Sequence, residues 1–269
     1  VRPDRSGEGR AGAGREPERP LEPDNIRAFA RVFTDAVTDE DPQDVPVLLC
    51  RACVRLLDVS GASVSLSDGA TPAVLWWSSD EVAGQLAEAQ YTLGEGPCTT
   101  ALAQVAPVLA EDLRRAPDAS RWPLFAQRAA EFGVRAVFSF PFGGGVQASG
   151  TLDLYRRESG PLSAQDQALV LPACKALTYA LMRIHTDADD PGTAGPGTGR
   201  AGADDRHAWM DGAQEGHEEV NQATGMVIVQ LRVDPQHALA RLRGYAFAHG
   251  LTLTEVAREV VCGRLVFDE

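Results

Sequence analysis

Lysine is almost absent from this chain: Lys175 is the single one in 269 residues. Nearly all positive charge is arginine, which we read as a coding bias without functional content. Positive charge of any kind is outnumbered. Twenty-five basic residues against 38 acidic ones leave a formal net charge of −13, which disfavours non-specific adhesion to DNA or anionic membranes. Long apolar runs are missing too, and none approaches the ~20 residues needed to span a bilayer. The opening stretch VRPDRSGEGRAGAGREPERP has charges but no apolar core, so it does not read as a secretory signal. We therefore expect a cytoplasmic protein without a membrane partner. Cysteine occurs five times, at 50, 53, 98, 174 and 262. An odd count without regular spacing argues against an extracellular disulfide scaffold.

Signatures of catalysis and metal binding are equally scarce. Cys50-x-x-Cys53 lacks the second ligand pair that a four-coordinate zinc site wants. The histidines at 185, 207, 217, 237 and 249 form neither HxxxH nor HExxH. Gly143-Gly144-Gly145 has no following Lys-Ser/Thr and reads as a turn, not a phosphate cradle. No nucleophile elbow or kinase signature occurs, and no pair of acids stands out as catalytic. No enzyme is expected from these residues, and they name no cofactor.

The chain divides by composition. Residues 1–22 are rich in Gly, Pro, Arg and Glu and read as a disordered tail. A helix follows over 24–40, with Asp24 as cap and Ile26, Phe29, Phe33 and Val37 on one face. Asp41-Pro42 reads as the start of a second helix. Strands are expected at 62–66, 73–77, 107–111, 134–142 and 151–155, and helices at 81–89 and 122–132. A long helix is expected over 163–185 with Pro172 inside it. Residues 186–205, TDADDPGTAGPGTGRAGADD, read as a flexible linker. The expected division is a tail over 1–22, a sensory domain with flanking helices over 23–185, the linker over 186–205 and a helical unit over 206–269. The fold class is α+β followed by a three-helix bundle.

The last unit carries the most agreement among independent signals. Val220, Ala223, Val227 and Leu231 form a helical stripe. Asp234-Pro235 caps and starts a second helix, with Ala238, Leu239, Leu242 and Ala246 inward. Gly250 stands where a left-handed stop belongs, and Thr252-x-x-Glu255 is a capping box. Leu253, Val256, Ala257 and Val260 complete the core. The segments ATGMVIVQL (223–231), LR (242–243) and TLTEVAREVV (252–261) resemble the ANTAR family of RNA-binding antitermination domains. That resemblance implies binding to paired hairpin loops in nascent messenger RNA leaders, usually as a homodimer. Residues 206–269 hold six arginines and nine acids, a net of −3, so phosphate binding requires charge to be segregated. Arg241, Arg243 and Arg258 are expected on exposed flanks. Tyr245 reads either as a stacking surface for an unpaired base or as core, and His249 as an added polar contact.

The middle holds YTLGEGPC (91–98), RWPLFAQRAAEFGVRAVFSFPF (121–142) and GTLDLYRRESGPLS (150–163). With LLDVSGASVSLSD (56–68), these resemble a GAF domain. The resemblance implies a six-stranded antiparallel sheet with helices and a pocket on one face, whose ligand the fold does not name. Trp77, Gly96, Cys98, Trp122, Phe125 and Phe138 are the candidate pocket residues. The alternative for the aromatics is ordinary core packing. Cys98 sits where a helix N-terminus lowers a thiol pKa and favours redox response; the alternative is an inert buried cysteine. Together the segments suggest a sensor controlling an RNA-binding antiterminator. The main alternative is a protein-interaction or dimerisation regulator without RNA. Its support is the acidic balance and Thr224, which stands where many ANTAR members carry lysine.

Overall fold

A computed structural model describes residues 27, 31, 32, 34, 38, 41–67, 73–144, 147–189 and 218–268. The 1–22 tail, the predicted face Ile26, Phe29, Phe33 and Val37, and most of the predicted linker lie outside the described residues. The first fully described helix, α1, is Val45–Leu56. It begins later than Asp41-Pro42 suggests, because the Asp41 carboxylate instead accepts from the Gln43 N–H and shapes a turn. Strands β1 (Gly61–Leu66) and β2 (Val74–Ser78) follow, then helices α2 (Glu81–Leu93) and α3 (Pro97–Gln104). Next come β3 (Val108–Ala110), α4 (Asp118–Arg121), α5 (Pro123–Glu131), β4 (Ala136–Phe142) and β5 (Gly150–Arg156). Helix α6 (Ala164–Asp189) runs past the expected stop at 185 with Pro172 inside it.

Among the described residues the sheet has five strands in the order β2-β1-β5-β4-β3, all neighbours antiparallel. This corrects the six strands that the family resemblance implies. Period-two alternation assigns the two faces. Ala136, Phe138, Phe140, Leu152 and Leu154 point to α1 and α6, where they join Leu49, Cys53 and Leu177 in one buried cluster. Val137 and Tyr155 point the other way, into a second cluster with Ala83, Leu86, Trp122, Phe125 and Ala129 from α2 and α5. Gly150 leaves no room for a side chain: an added Cβ would lie 2.3 Å from the Ser65 carbonyl oxygen.

The C-terminal unit has helix α7 (218–231), helix α8 (Pro235–His249) and helix α9 (Leu253–Val261). Its expected caps are all present. Asp234 accepts from the His237 N–H at 3.0 Å, and Gly250 adopts φ 66°. Thr252 and Glu255 exchange the two bonds of a capping box. Val220, Ala223, Val227, Ala238, Leu242, Ala246, Leu253, Val256, Ala257 and Val260 form the buried core. Among the described residues Tyr91 of α2 joins that core from outside the unit, and Val74 of β2 packs against it. No helix among the described residues is long and apolar enough to cross a membrane.

Candidate nucleic-acid interface

The residues singled out in the C-terminal unit separate into two groups. Arg241, Tyr245 and His249 recur every fourth residue on α8 and share one side of it. Arg241 and His249 are exposed. The Tyr245 and His249 rings stack at 3.9 Å, and Phe267 meets Tyr245 edge-on at 5.7 Å. The tyrosine is half-buried, between the two readings the sequence left open. Arg258 on α9 forms two hydrogen bonds to Glu219 of α7, each 3.2 Å. The carboxylate partner raises its already high pKa. Arg264 pairs likewise with Glu259. Both pairs are open to water, where solvent screens the attraction. The pairing does not withdraw Arg258 from solvent.

Arg243 corrects the expectation of an exposed flank. It faces α2, where its Nη2 donates to the Tyr91 carbonyl at 3.4 Å. Its guanidinium fills the space beside Gly94, where a Cβ would come within 2.3 Å of Nη1. Its Nε is buried without a partner among the described residues. Burial lowers its pKa, and no carboxylate bonds to it among the described residues. The same contact continues at Leu253, whose backbone N–H donates to Thr92 Oγ1 at 3.0 Å. Thr92 in turn donates to Glu88 Oε1 at 3.0 Å. The Glu88 carboxyl is pushed up by burial first and by nearby Glu255 as well, while the Thr92 hydrogen bond pulls it down. Glu88, Tyr91, Thr92 and Gly94 carry no motif for such a role. Periodicity marked 81–89 as helix but could not name what covers its outer side.

The candidate pocket residues do not converge. Trp77 and Phe138 pack with the α1–α6 cluster, whereas Trp122 and Phe125 belong to the α2–α5 cluster across the sheet. Trp122 Nε1 donates to Thr100 Oγ1 at 2.9 Å. Gly96 lies against Gln90, whose side-chain oxygen accepts from the Cys98 N–H at 2.8 Å. Glu95 accepts from the backbone N–H groups of Leu124 and Phe125 at 2.7 and 2.9 Å, so it caps α5 from a distance. The YTLGEGPC segment thus ties three helix ends together. Cys98 is buried, and burial followed by the Asp153 charge raises its thiol pKa well above the ordinary value. Of the two readings left open for Cys98, these surroundings match the buried cysteine and not a thiol lowered at a helix N-terminus. Its Sγ lies 3.2 Å from Thr151 Oγ1, which donates to Asp153 Oδ2 at 3.0 Å.

The fold is thus an antiparallel sheet with helices against both faces, followed by a three-helix unit whose second and third helices are capped. Residues 39–182 match the GAF domain model and residues 210–261 match the ANTAR domain model. The chain belongs to the GAF–ANTAR domain regulators. A comparison with curated proteins returned no match. Solved structures resemble the sheet domain. One is the GAF domain of an Acinetobacter phosphoenolpyruvate-protein phosphotransferase, at 13% identity and TM-score 0.48, covering 63% of this chain and 100% of that one. The Coxiella burnetii counterpart has 18% identity and TM-score 0.46, covering 61% and 96%. Free methionine-R-sulfoxide reductase from Neisseria meningitidis, in complex with its substrate, has 17% identity and TM-score 0.46, covering 61% and 95%.

Proposed function

We propose that the chain is a cytoplasmic, signal-responsive regulator that binds hairpin leaders of nascent RNA through its C-terminal bundle and promotes transcription antitermination. The GAF domain supplies the control, through a small molecule or another signal. The supporting observation is the side of α8 where exposed Arg241 stands one turn from the stacked Tyr245–His249 pair. A cation beside an aromatic surface suits a loop that offers phosphates and unpaired bases together. Arg258 adds a second exposed cation from α9. Phosphate binding depends on local positive charge, so this reading needs Arg258 to exchange its Glu219 partner for RNA.

The test is titration of the full chain against an RNA bearing two adjacent stem-loops, over a range of salt. Arg241→Ala and Arg258→Ala should each weaken binding several-fold and reduce the salt slope by about 1. Unchanged affinity in the double variant would remove the reading. The second reading, a protein-interaction module without RNA, draws on the carboxylates that pair Arg258 and Arg264. It requires that no RNA binds even at low salt.

A further inference from the structure

The contact between α2 and the C-terminal bundle takes up Arg243, a residue singled out for RNA. Three observations meet there. Tyr91 of the GAF domain is buried within the bundle's own core. The Leu253 N–H, an orphan donor at the start of α9, is satisfied by Thr92 of α2. The Arg243 guanidinium is withdrawn from water against the Tyr91 carbonyl, with no ion pair among the described residues. The first two contacts favour docking. The third opposes it, because a cation taken out of water without a counter-charge carries a desolvation cost. An anion offered from outside would relieve that cost.

We propose that helix Glu81–Leu93 is an intramolecular competitor of RNA: it covers the Arg243 side of the bundle, and RNA binding requires it to release. This rests on the RNA-binding reading above and names its regulation. The Tyr91 and Thr92 contacts make docking specific, and a guanidinium without a carboxylate partner among the described residues makes it reversible. The surface beside the contact is already open to solvent. A cleft of about 620 Å³ separates α2 and α5 from the end of α8, with Glu88, Thr92, Phe132, Phe247 and Thr252 along its walls. A signal that shifts α2 within the GAF domain would then change RNA affinity through differential stabilisation of the docked and released states.

Gly94 gives a way to open the contact from the GAF side. It holds φ 68°, which asparagine tolerates better than other side chains. Any Cβ there occupies the seat of the guanidinium. Gly94→Asn should therefore expel Arg243 while leaving α2 capped. Thr92→Val, which removes the acceptor of the Leu253 N–H together with the donor to Glu88, is the second variant should the first not fold. Full-length chain and variants are compared in two measurements. One is hydrogen exchange at the Leu253 amide; the other is affinity for the two-stem-loop RNA. The expected result is faster exchange at Leu253 together with RNA binding at least five-fold tighter. Faster exchange without a gain in affinity would overturn masking and leave RNA binding intact. Exchange unchanged in both folded variants would overturn the role of this contact. Failure of every form to bind RNA at low salt would overturn the RNA reading itself, and masking with it.

Discussion

The arginines of the C-terminal unit have identical chemistry and different surroundings. Arg241 is exposed, Arg258 is tethered to a carboxylate in water, and Arg243 is tucked under the sheet domain. Their positions on the α8 and α9 spirals follow from spacing, but the neighbour that each meets does not. Asp153 makes the same point in the sheet. Burial pushes its carboxyl up to about 6, against hydrogen bonds that pull it down. An unfolded aspartate releases its proton near ~3.9. Between about pH 4 and 6 the folded chain thus binds more protons than the unfolded one, and stability falls as pH rises through that window. Asp153→Asn should raise the melting temperature at pH 7.5 and flatten the fall between pH 4 and 6. The gain is up to about 3 kcal/mol. Thermal melts across pH check this, and a lower melting temperature at pH 7.5 would contradict it.

At the scale of elements, caps and turns were the most legible features. Asp234-Pro235, Gly250 and Thr252-x-x-Glu255 each act on backbone groups within a few residues, so the sequence contains both partners of the interaction. Thr252→Ala removes one half of the capping box and should cost about 1 kcal/mol. A drop in melting temperature, with the helical signal of α9 weakened, is the measurable result; no change would mean that packing alone fixes the helix start. The caps that went unread are those supplied from afar. Glu95 serves α5 across 29 residues of chain, and Gln90 serves α3 from inside α2. Gly96 and Cys98 consequently read as pocket candidates, although the visible work of YTLGEGPC is to join helix ends. The candidate aromatics were legible as buried but not as divided between two faces. Strand alternation tells which residues share a face, not which helices later cover it.

At the scale of the whole molecule, the two domains meet mainly along α2, with Val74 of β2 beside it, and the balance of that contact decides whether Arg243 is free. Glu88 weighs against docking, because Glu255 of α9 adds repulsion to a carboxylate already raised by burial. Glu88→Gln keeps an oxygen to accept from Thr92 and removes the charge. The docked form should gain, with slower exchange at the Leu253 amide and RNA binding several-fold weaker. Tighter RNA binding in this variant would argue against masking by α2. The Gly94→Asn and Glu88→Gln pair therefore pushes one equilibrium in opposite directions, a stricter demand than a single loss of function.

The amphipathic periods, the local caps and the order of segments were fixed by neighbours in the chain, and they carried the two domain types without help from coordinates. Which arginine faces solvent, which carboxyl is starved of water and which helix lies over the bundle depended on residues far apart in sequence. Val220 and Tyr91, for example, share a core across more than a hundred positions. Short-range interactions repeat with a helix or strand period and so leave a readable trace. Contacts closed through long loops leave no such period, and only the folded chain reveals the partner.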